Sequence, residues 1–412
     1  VTTAAERHAT AMGAPEGVAR CPLMPNYAAP GVYFASGEGS WLTDREGRRY
    51  LDLLAGLAVT SLGHAHPEVA EAVARQARTL LHVSNLFGSG PGWEVARTLD
   101  GLLGGGGQVF FANSGAEANE CAIKLARRFG GRGRHVVVSA FGSFHGRTLA
   151  TLHATGQPAK HEAFQPLPEG FRHVAFDDLA AVEAAMDPSV AAVLVEVIQG
   201  EGGVHPVSGA YLAGLRRLCD ERGALLVIDE VQTGLGRTGD WFAHQHHGVV
   251  PDVVTVAKAL GNGVPIGACW ARAEVAATFS PGDHGSTFGG QPLATAAAAT
   301  VLEVMAREDV PARARRAEAR LRAGLEPLDA VVEVRGRGLL LGVELAPGID
   351  ARAVVATGLE AGLVLNAVTP SALRLAPSLL IEDDEIDLAL ERLAGLLAEA
   401  ADRTDTDVET EP

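Results

Sequence analysis

The sequence predicts an α/β protein: a large domain built on a mostly parallel sheet, joined by a smaller α+β domain to which both chain ends contribute. Three observations carry this. Apolar runs rich in β-branched residues, at 224–228 and 253–257, are bounded by Gly or Pro and lack polar alternation, as strands buried on both faces do. Helical patterns separate such runs, and the ionisable residues that close these two, Asp229 and Lys258, lie roughly thirty positions apart, about one βαβ excursion. From about residue 300 the character changes to charged amphipathic helices and short strands.

In chain order, residues 1–20 are rich in Ala and Gly without a sustained period and read as a loosely attached arm. GVYFASGEGSWLTDREGRRYLDL follows as a β-hairpin or small meander turning at 37–39 and 46–47. Residues 1–60 are therefore assigned to the arm and hairpin of the small domain. Pro67 opens a helix through Arg78, and His64 and His66 read as packing at its start, since no third metal ligand is near. In the large domain, 61–299, a four-glycine loop at 104–107 precedes a short strand at 109–112. NSGAEANECAIKLARR then starts a helix with Asn113 or Ser114 as cap and Glu117 at its positive end. The small residues Ser114, Gly115 and Ala116 leave backbone N–H groups open to an anion, although capping alone would explain them equally.

The strand at 135–140 leads into a Gly-flanked cluster, Phe144, His145 and Arg147. The strand at 191–198 is bracketed at its end by Glu196 and Glu201, among glycines that permit close backbone approach. A helix over 209–223 returns the chain to the 224–228 strand. His244, His246 and His247 read as a polar loop, because their spacing puts no three ligands on one face. A strand at 267–271 and an Ala-rich helix complete the large domain. The small domain, 300–400, holds a helix over 312–325, VVEVRGRGLLLGVEL as strands, a helix near 351–362 and a final helix from about Asp383. The acidic stretch 401–412 reads as a disordered tail.

Composition narrows the function classes. The 412 residues carry a formal charge of −16 without a basic run, which disfavours nucleic acid or an anionic membrane surface as partner. No apolar run approaches the roughly 20 residues of a membrane span, and the first residues lack a secretion signal. The 4 cysteines form no CxxC pair, the pattern of free thiols in a reducing cytoplasm. A cytoplasmic enzyme is the expectation.

Asp229 and Lys258 could form a buried ion pair and nothing more. But strand ends share one edge of an open α/β sheet, where ligands bind. That edge would also hold the Ser114–Gly115–Ala116 cradle, the face of Phe144, and Arg147; Arg374 follows in the small domain. An amine, an acid, a phosphate site and an aromatic face together suit pyridoxal 5′-phosphate, whose aldehyde takes a lysine and whose pyridine nitrogen takes an acid.

The chain resembles the class III (subgroup II) aminotransferases of pyridoxal-phosphate fold type I, and within them the acetylornithine aminotransferase family. The matching motifs are FFANSGAEANECAIKLAR, FHGRTL, VEVIQGEGGV, LLVIDEVQTGLGRTG, PDVVTVAKALGNGVPIGA, HGSTFGGQPLA, RGRGLLLGVEL and LRLAPSL, in order over roughly residues 25–400. The resemblance implies a central sheet of seven strands and a homodimer with shared active sites. It makes Lys258 the residue that joins the cofactor aldehyde and moves the substrate proton, and Asp229 the partner of the pyridine nitrogen. Gln232 lies by the phenolic oxygen, Phe144 stacks on the ring, Gly115 and Ala116 hold the phosphate, and Thr287, preceded by Ser286, reaches that phosphate from the partner subunit.

For substrates, the resemblance implies that Arg147 clamps the far carboxylate of a diamino acid. Arg374 takes the α-carboxylate of 2-oxoglutarate or glutamate, with Glu201 as its exchangeable partner, and Tyr27 lies beside the substrate carboxylate. Leu57 stands where ornithine-specific members have tyrosine, which favours an acylated donor. The implied reaction passes the δ-amine of N2-acetylornithine to 2-oxoglutarate. Ornithine, succinylornithine, N-succinyl-diaminopimelate, lysine and 4-aminobutyrate are the alternative donors. Retention of Lys258, Asp229 and both arginines argues against a non-catalytic descendant of the fold.

Overall fold

Seven strands form the large sheet of the computed structural model, which describes residues 23–28 and 30–408. Their spatial order is Gly107–Ala112, Gly267–Arg272, Val253–Val256, Leu225–Asp229, Val190–Val195, Val136–Ala140, Phe171–Val174. Only Gly267–Arg272 runs against its neighbours; the other six are parallel. The missing polar alternation has a direct cause. Leu226 and Ile228 pack on one face with Leu212 and Leu215 of the helix Gly209–Arg222. Leu225 and Val227 pack on the other with Ile123 and Leu125 of the helix Gly115–Gly130. Side chains alternate between faces, and both faces are covered.

The parallel strands end on one edge, and the residues just past their ends build the site: Asn113 and Ser114, the loop from Phe141, Glu196, Asp229, and Ala257 with Lys258. Register sets Asp229 beside Thr255, three residues before Lys258 on the adjacent strand.

The small domain has a four-stranded sheet, in the order Val331–Arg337, Leu340–Leu345, Ala372–Leu375, Asn366–Ala367. The N-terminal stretch forms a meander, Phe34–Glu38, Trp41–Asp44 and Arg49–Asp52. Its last strand pairs in parallel with Leu363–Val364, setting Leu51 beside Leu363. Ser40 and Trp41 each donate at 2.8 Å to the carboxylate of Glu385 at the start of the final helix. Both chain ends thus meet in one unit.

Two expectations change. The final helix runs Asp383–Val408, well into the stretch expected to be disordered. Apolar residues such as Leu393, Leu396 and Leu397 anchor it in the core, and an i,i+4 pair, Glu399–Arg403 at 3.6 Å, spans the turn beyond. Residues 409–412, like the arm at 1–20, lie outside the described residues. A helix over Gly90–Leu102 also has no counterpart in the sequence reading; its glycines and Pro91 obscure the period. Among the described residues, no helix is long and apolar enough to cross a membrane.

Candidate active site

A cavity of about 360 Å³ opens at the carboxyl edge of the large sheet, lined among others by Gly115, Phe144, Arg147, Glu201, Asp229 and Lys258. Lys258 enters it from a sharp turn. Its backbone is left-handed at φ 41°, where the strand gives way to the short helix Lys258–Gly261. Strain of this kind in a non-glycine residue collects at functional sites. Burial pushes the Lys258 amine down to about 8; Arg374 adds to the fall, while Glu201, Asp229 and Glu196 oppose it. A usable fraction of neutral amine is therefore present near neutral pH, as a nucleophilic lysine requires.

Asp229 is held from three sides. Its Oδ2 accepts from His145 Nδ1 at 2.8 Å and Asn119 Nδ2 at 2.7 Å; its Oδ1 accepts from the Val231 N–H at 3.0 Å. Asn119 is locked in turn, accepting from Thr255 Oγ1 at 2.7 Å and donating to the His145 carbonyl at 2.8 Å. The carboxylate is thereby fixed by donors other than the lysine. Among the described residues no ion pair joins Asp229 to Lys258. Glu196, buried at the next strand end, accepts the Phe144 N–H at 2.9 Å. Burial pushes its carboxyl up to about 7, with His145 and Lys258 opposing and Asp229 adding to the rise.

Across the cavity lies a buried guanidinium. Arg374 Nη1 donates to Glu201 at 2.5 Å and to Gln232 Oε1 at 3.1 Å, while its Nε and Nη2 reach Asn366 Oδ1 at 3.2 and 2.9 Å. Burial raises the Glu201 pKa, but Arg374 and Lys258 outweigh it and hold the carboxyl below its usual value. At the anion end, Ser114 caps the helix, its Oγ accepting from the Glu117 N–H at 3.2 Å. The N–H groups of Gly115 and Ala116 have no intrahelical partner by geometry. Space behind them is closed: a Cβ on Gly115 would stand 2.8 Å from Val231, and one on Gly267 2.4 Å from the Ser114 carbonyl oxygen.

A buried lysine of low pKa, a fixed carboxylate and a paired arginine thus meet at one cleft. The family model of the class-III aminotransferases matches residues 25–397. The chain belongs to the class-III aminotransferases. It is 49% identical over 382 residues to the acetylornithine aminotransferase of Mycolicibacterium smegmatis, covering 92% of this chain and 97% of that one. It also superposes on the N-acetylornithine aminotransferase of Stenotrophomonas maltophilia with a TM-score of 0.79 at 39% identity, covering 90% of this chain and 96% of that one. The ornithine aminotransferase of Toxoplasma gondii, crystallised with pyridoxal phosphate at partial occupancy in its active site, gives 0.88 at 36% identity, covering 93% and 94%.

As a class-III aminotransferase the protein works with pyridoxal 5′-phosphate, and the cavity fits it: a desolvated amine, a carboxylate fixed apart from that amine, an aromatic face, and a helix N-terminus for the phosphate. Lys258, Asp229, Ser114, Gly115, Ala116, Phe144, Arg147, Glu201 and Gln232 all line the cavity. Arg374 reaches it through Glu201 and Gln232. Three groups of the expected residues lie elsewhere. Thr287 lines a separate cavity of about 540 Å³ with Phe87 and Trp93, and Ser286 Oγ accepts from Asn113 Nδ2 at 3.2 Å at the boundary between the two. Tyr27, exposed in the segment before the meander, and Leu57, half exposed on left-handed backbone at φ 70°, do not line the Lys258 cavity.

Asn119, His145 and Glu196 also line the cavity, and the sequence reading assigns none of them a role. His145 sits in a motif quoted for its neighbours, whereas Asn119 is one polar residue on a helix face and only its three-dimensional partners reveal it. Three of the histidines weighed as metal ligands have other partners. His64 meets Asp52 at 2.8 Å, His244 meets Glu230 at 2.9 Å, and His246 accepts from Arg337.

Proposed function

We propose that this enzyme is an N2-acetylornithine:2-oxoglutarate aminotransferase of arginine biosynthesis, working in the cytoplasm as a homodimer. It would yield N-acetylglutamate 5-semialdehyde and glutamate in two half-reactions. One observation carries the two-substrate reading: Arg374 is paired with Glu201 in a glycine-rich loop beside Lys258. With the pair closed, the site is neutral there and accepts a donor that brings its amine without an adjacent carboxylate. When Glu201 moves aside, Arg374 offers its planar fork to the α-carboxylate of glutamate or 2-oxoglutarate. The choice of an acylated donor is supported by the 49% identity to the mycobacterial relative.

Pyridoxal phosphate supplies the electron sink of the reaction. In this proposal the residues divide the rest. Asp229, steadied by His145 and Asn119, keeps a proton on the pyridine nitrogen. Lys258 Nζ would hold the cofactor aldehyde and, once free, would act as the base that moves the proton at the substrate carbon. Phe144 covers one ring face, and Gly115 and Ala116 hold the phosphate. Arg147, exposed at the cavity mouth, clamps the distal carboxylate. Ser286 and Thr287 would serve the partner's site, because neither lines the Lys258 cavity of its own chain. The exposed Leu86, Phe87, Trp93 and Phe288 near that second cavity supply an apolar surface for the subunit contact.

The test is spectroscopic. The bound-cofactor absorbance should bleach with N2-acetylornithine and return with 2-oxoglutarate. Bleaching by 4-aminobutyrate or free ornithine alone would sink the donor assignment.

A further inference from the structure

Lys160 lies outside every family motif, yet it sits beside Arg147. Its Nζ stands 5.4 Å from the centroid of the Phe144 ring, and the Arg147 guanidinium carbon stands 5.6 Å from the same centroid. Two cations therefore share one aromatic ring at the mouth of the Lys258 cavity. The position of Lys160 is built. Its ammonium donates to Gln157 Oε1, and Gln157 Nε2 donates to the Ser143 carbonyl at 3.0 Å, one residue before Phe144. Next in sequence, His161 Nε2 contacts the Thr155 carbonyl at 2.7 Å, and Thr155 Oγ1 accepts the His145 N–H at 2.9 Å. The 155–161 segment is thus stitched to the loop that carries Phe144 and Arg147. Lys160 also feels its neighbours: burial and then Arg147 lower its pKa, while Glu201 raises it.

We propose that Lys160 is a specificity-determining residue, which selects donors with an acylated α-amino group by placing a second positive charge beside Arg147. The inference rests on the reading of Arg147 as the clamp for the distal carboxylate. In a free diamino acid the carbon bearing that carboxylate also bears an ammonium, so clamping the carboxylate brings the ammonium into the field of both cations. Acylation turns the ammonium into a neutral amide, whose carbonyl oxygen is attracted by the same field. At separations of this kind in a partly solvated site, one charge is worth about tenfold in the ratio of the two donors. Lys160 acts through this field and through the loop it steadies, not on the reacting atoms.

The test uses holoenzyme and compares kcat/KM for N2-acetylornithine and free ornithine in the first half-reaction. In Lys160→Met, which keeps most of the stem but loses the charge, the preference for the acylated donor should fall about tenfold. The fall should lie mainly in a loss for N2-acetylornithine, whose carboxylate loses an attraction that free ornithine, with its adjacent ammonium, largely does not have. Lys160→Arg should keep the preference. Raising the ionic strength should lower the wild-type preference in the same direction. A wild-type preference for the acylated donor that neither charge removal nor salt moves would overturn this inference and leave the donor assignment standing. A wild-type enzyme that prefers free ornithine would overturn both.

Discussion

Two arginines are buried to the same degree, each 1% exposed, and their partners differ in kind. Arg374 faces a carboxylate, an amide and a second amide: Glu201, Gln232 and Asn366. Arg237, in the GLGRTG turn of the large domain, has no acid among the described residues. It donates to the carbonyls of Leu339 and Pro377 at 3.0 and 2.5 Å and to Ser61 Oγ at 2.9 Å. Burial pushes its pKa down to about 9, the mark of a desolvated cation without a counter-ion. Carbonyl partners cannot leave, because they belong to the backbone of the neighbouring domain. A carboxylate on a glycine-rich loop can. In the proposed function, the contrast separates an arginine fixed between domains from one free to exchange its partner.

The comparison breaks first at Arg374. Arg374→Ala should lower kcat/KM for 2-oxoglutarate by about a thousandfold, about 4 kcal/mol of transition-state binding. The loss for the acylated donor should be smaller, because that donor meets the closed Glu201–Arg374 pair. Stopped-flow measurement of each half-reaction checks it, and equal losses in both would mean that Arg374 only supports the fold.

Arg237 should fail in the other way. Arg237→Met strands three buried acceptors, each costing about 1–3 kcal/mol when unsatisfied, partly offset by removing a desolvated charge. The net expectation is a loss of about 3 kcal/mol in unfolding free energy, read from denaturant titration. Turnover per folded molecule should hold near the wild-type value. A large fall in kcat with unchanged stability would move Arg237 into the catalytic machinery.

Glu201→Gln sharpens the contrast from the partner's side. The amide still fills the loop but no longer neutralises Arg374. Binding of 2-oxoglutarate should tighten, and kcat/KM for the acylated donor should fall about tenfold, about 1.4 kcal/mol, because an unpaired guanidinium favours a carboxylate where that donor has none. Equal shifts for both substrates would remove Glu201 from its role as an exchangeable partner.

The two arginines also show what a sequence can and cannot display. Asp229 and Lys258 are legible because each stands where an apolar run stops, and strand ends in an open α/β sheet share an edge. The parallel sheet is legible for the same reason, since strands covered on both faces leave unbroken apolar runs. Nothing local distinguishes Arg237 from Arg374: both are single arginines among small or apolar residues. Their roles are set by partners far along the chain, Leu339 and Pro377 for one and Glu201 for the other. The role of Arg374 came from family resemblance alone. Asn119 and His145 escaped assignment in the same way, for their common partner Asp229 lies 110 and 84 residues away. The arm and the distal tail had only composition to speak for them, and composition missed the helix that continues to Val408.

The last expected effect concerns the acid that no substrate role has claimed. Glu196 has its carboxyl pushed from 4.5 up to about 7, and Lys258 its amine from 10.5 down to about 8. The signs are opposite. A carboxyl of raised pKa binds more protons folded than unfolded, so the stability it contributes is present below 4.5 and lost as pH rises through about 7. An amine of lowered pKa binds fewer protons folded, so its penalty stands in full below about 8 and is relieved as pH rises toward 10.5. The cofactor-free protein should therefore carry both penalties together between about 7 and 8. Replacing the acid separates them. Compared with Glu196→Gln, the wild-type apoprotein should lose up to about 1.4 kcal/mol per pH unit on the acid side of that window and run parallel to the variant above it. Thermal unfolding of both apoproteins across the range reads the difference directly. Parallel curves on the acid side would mean that Glu196 keeps an ordinary carboxyl in the folded chain. Its contact with the Phe144 N–H would then serve to hold the cofactor-facing loop, without adding a titrating charge beside Asp229 and Lys258.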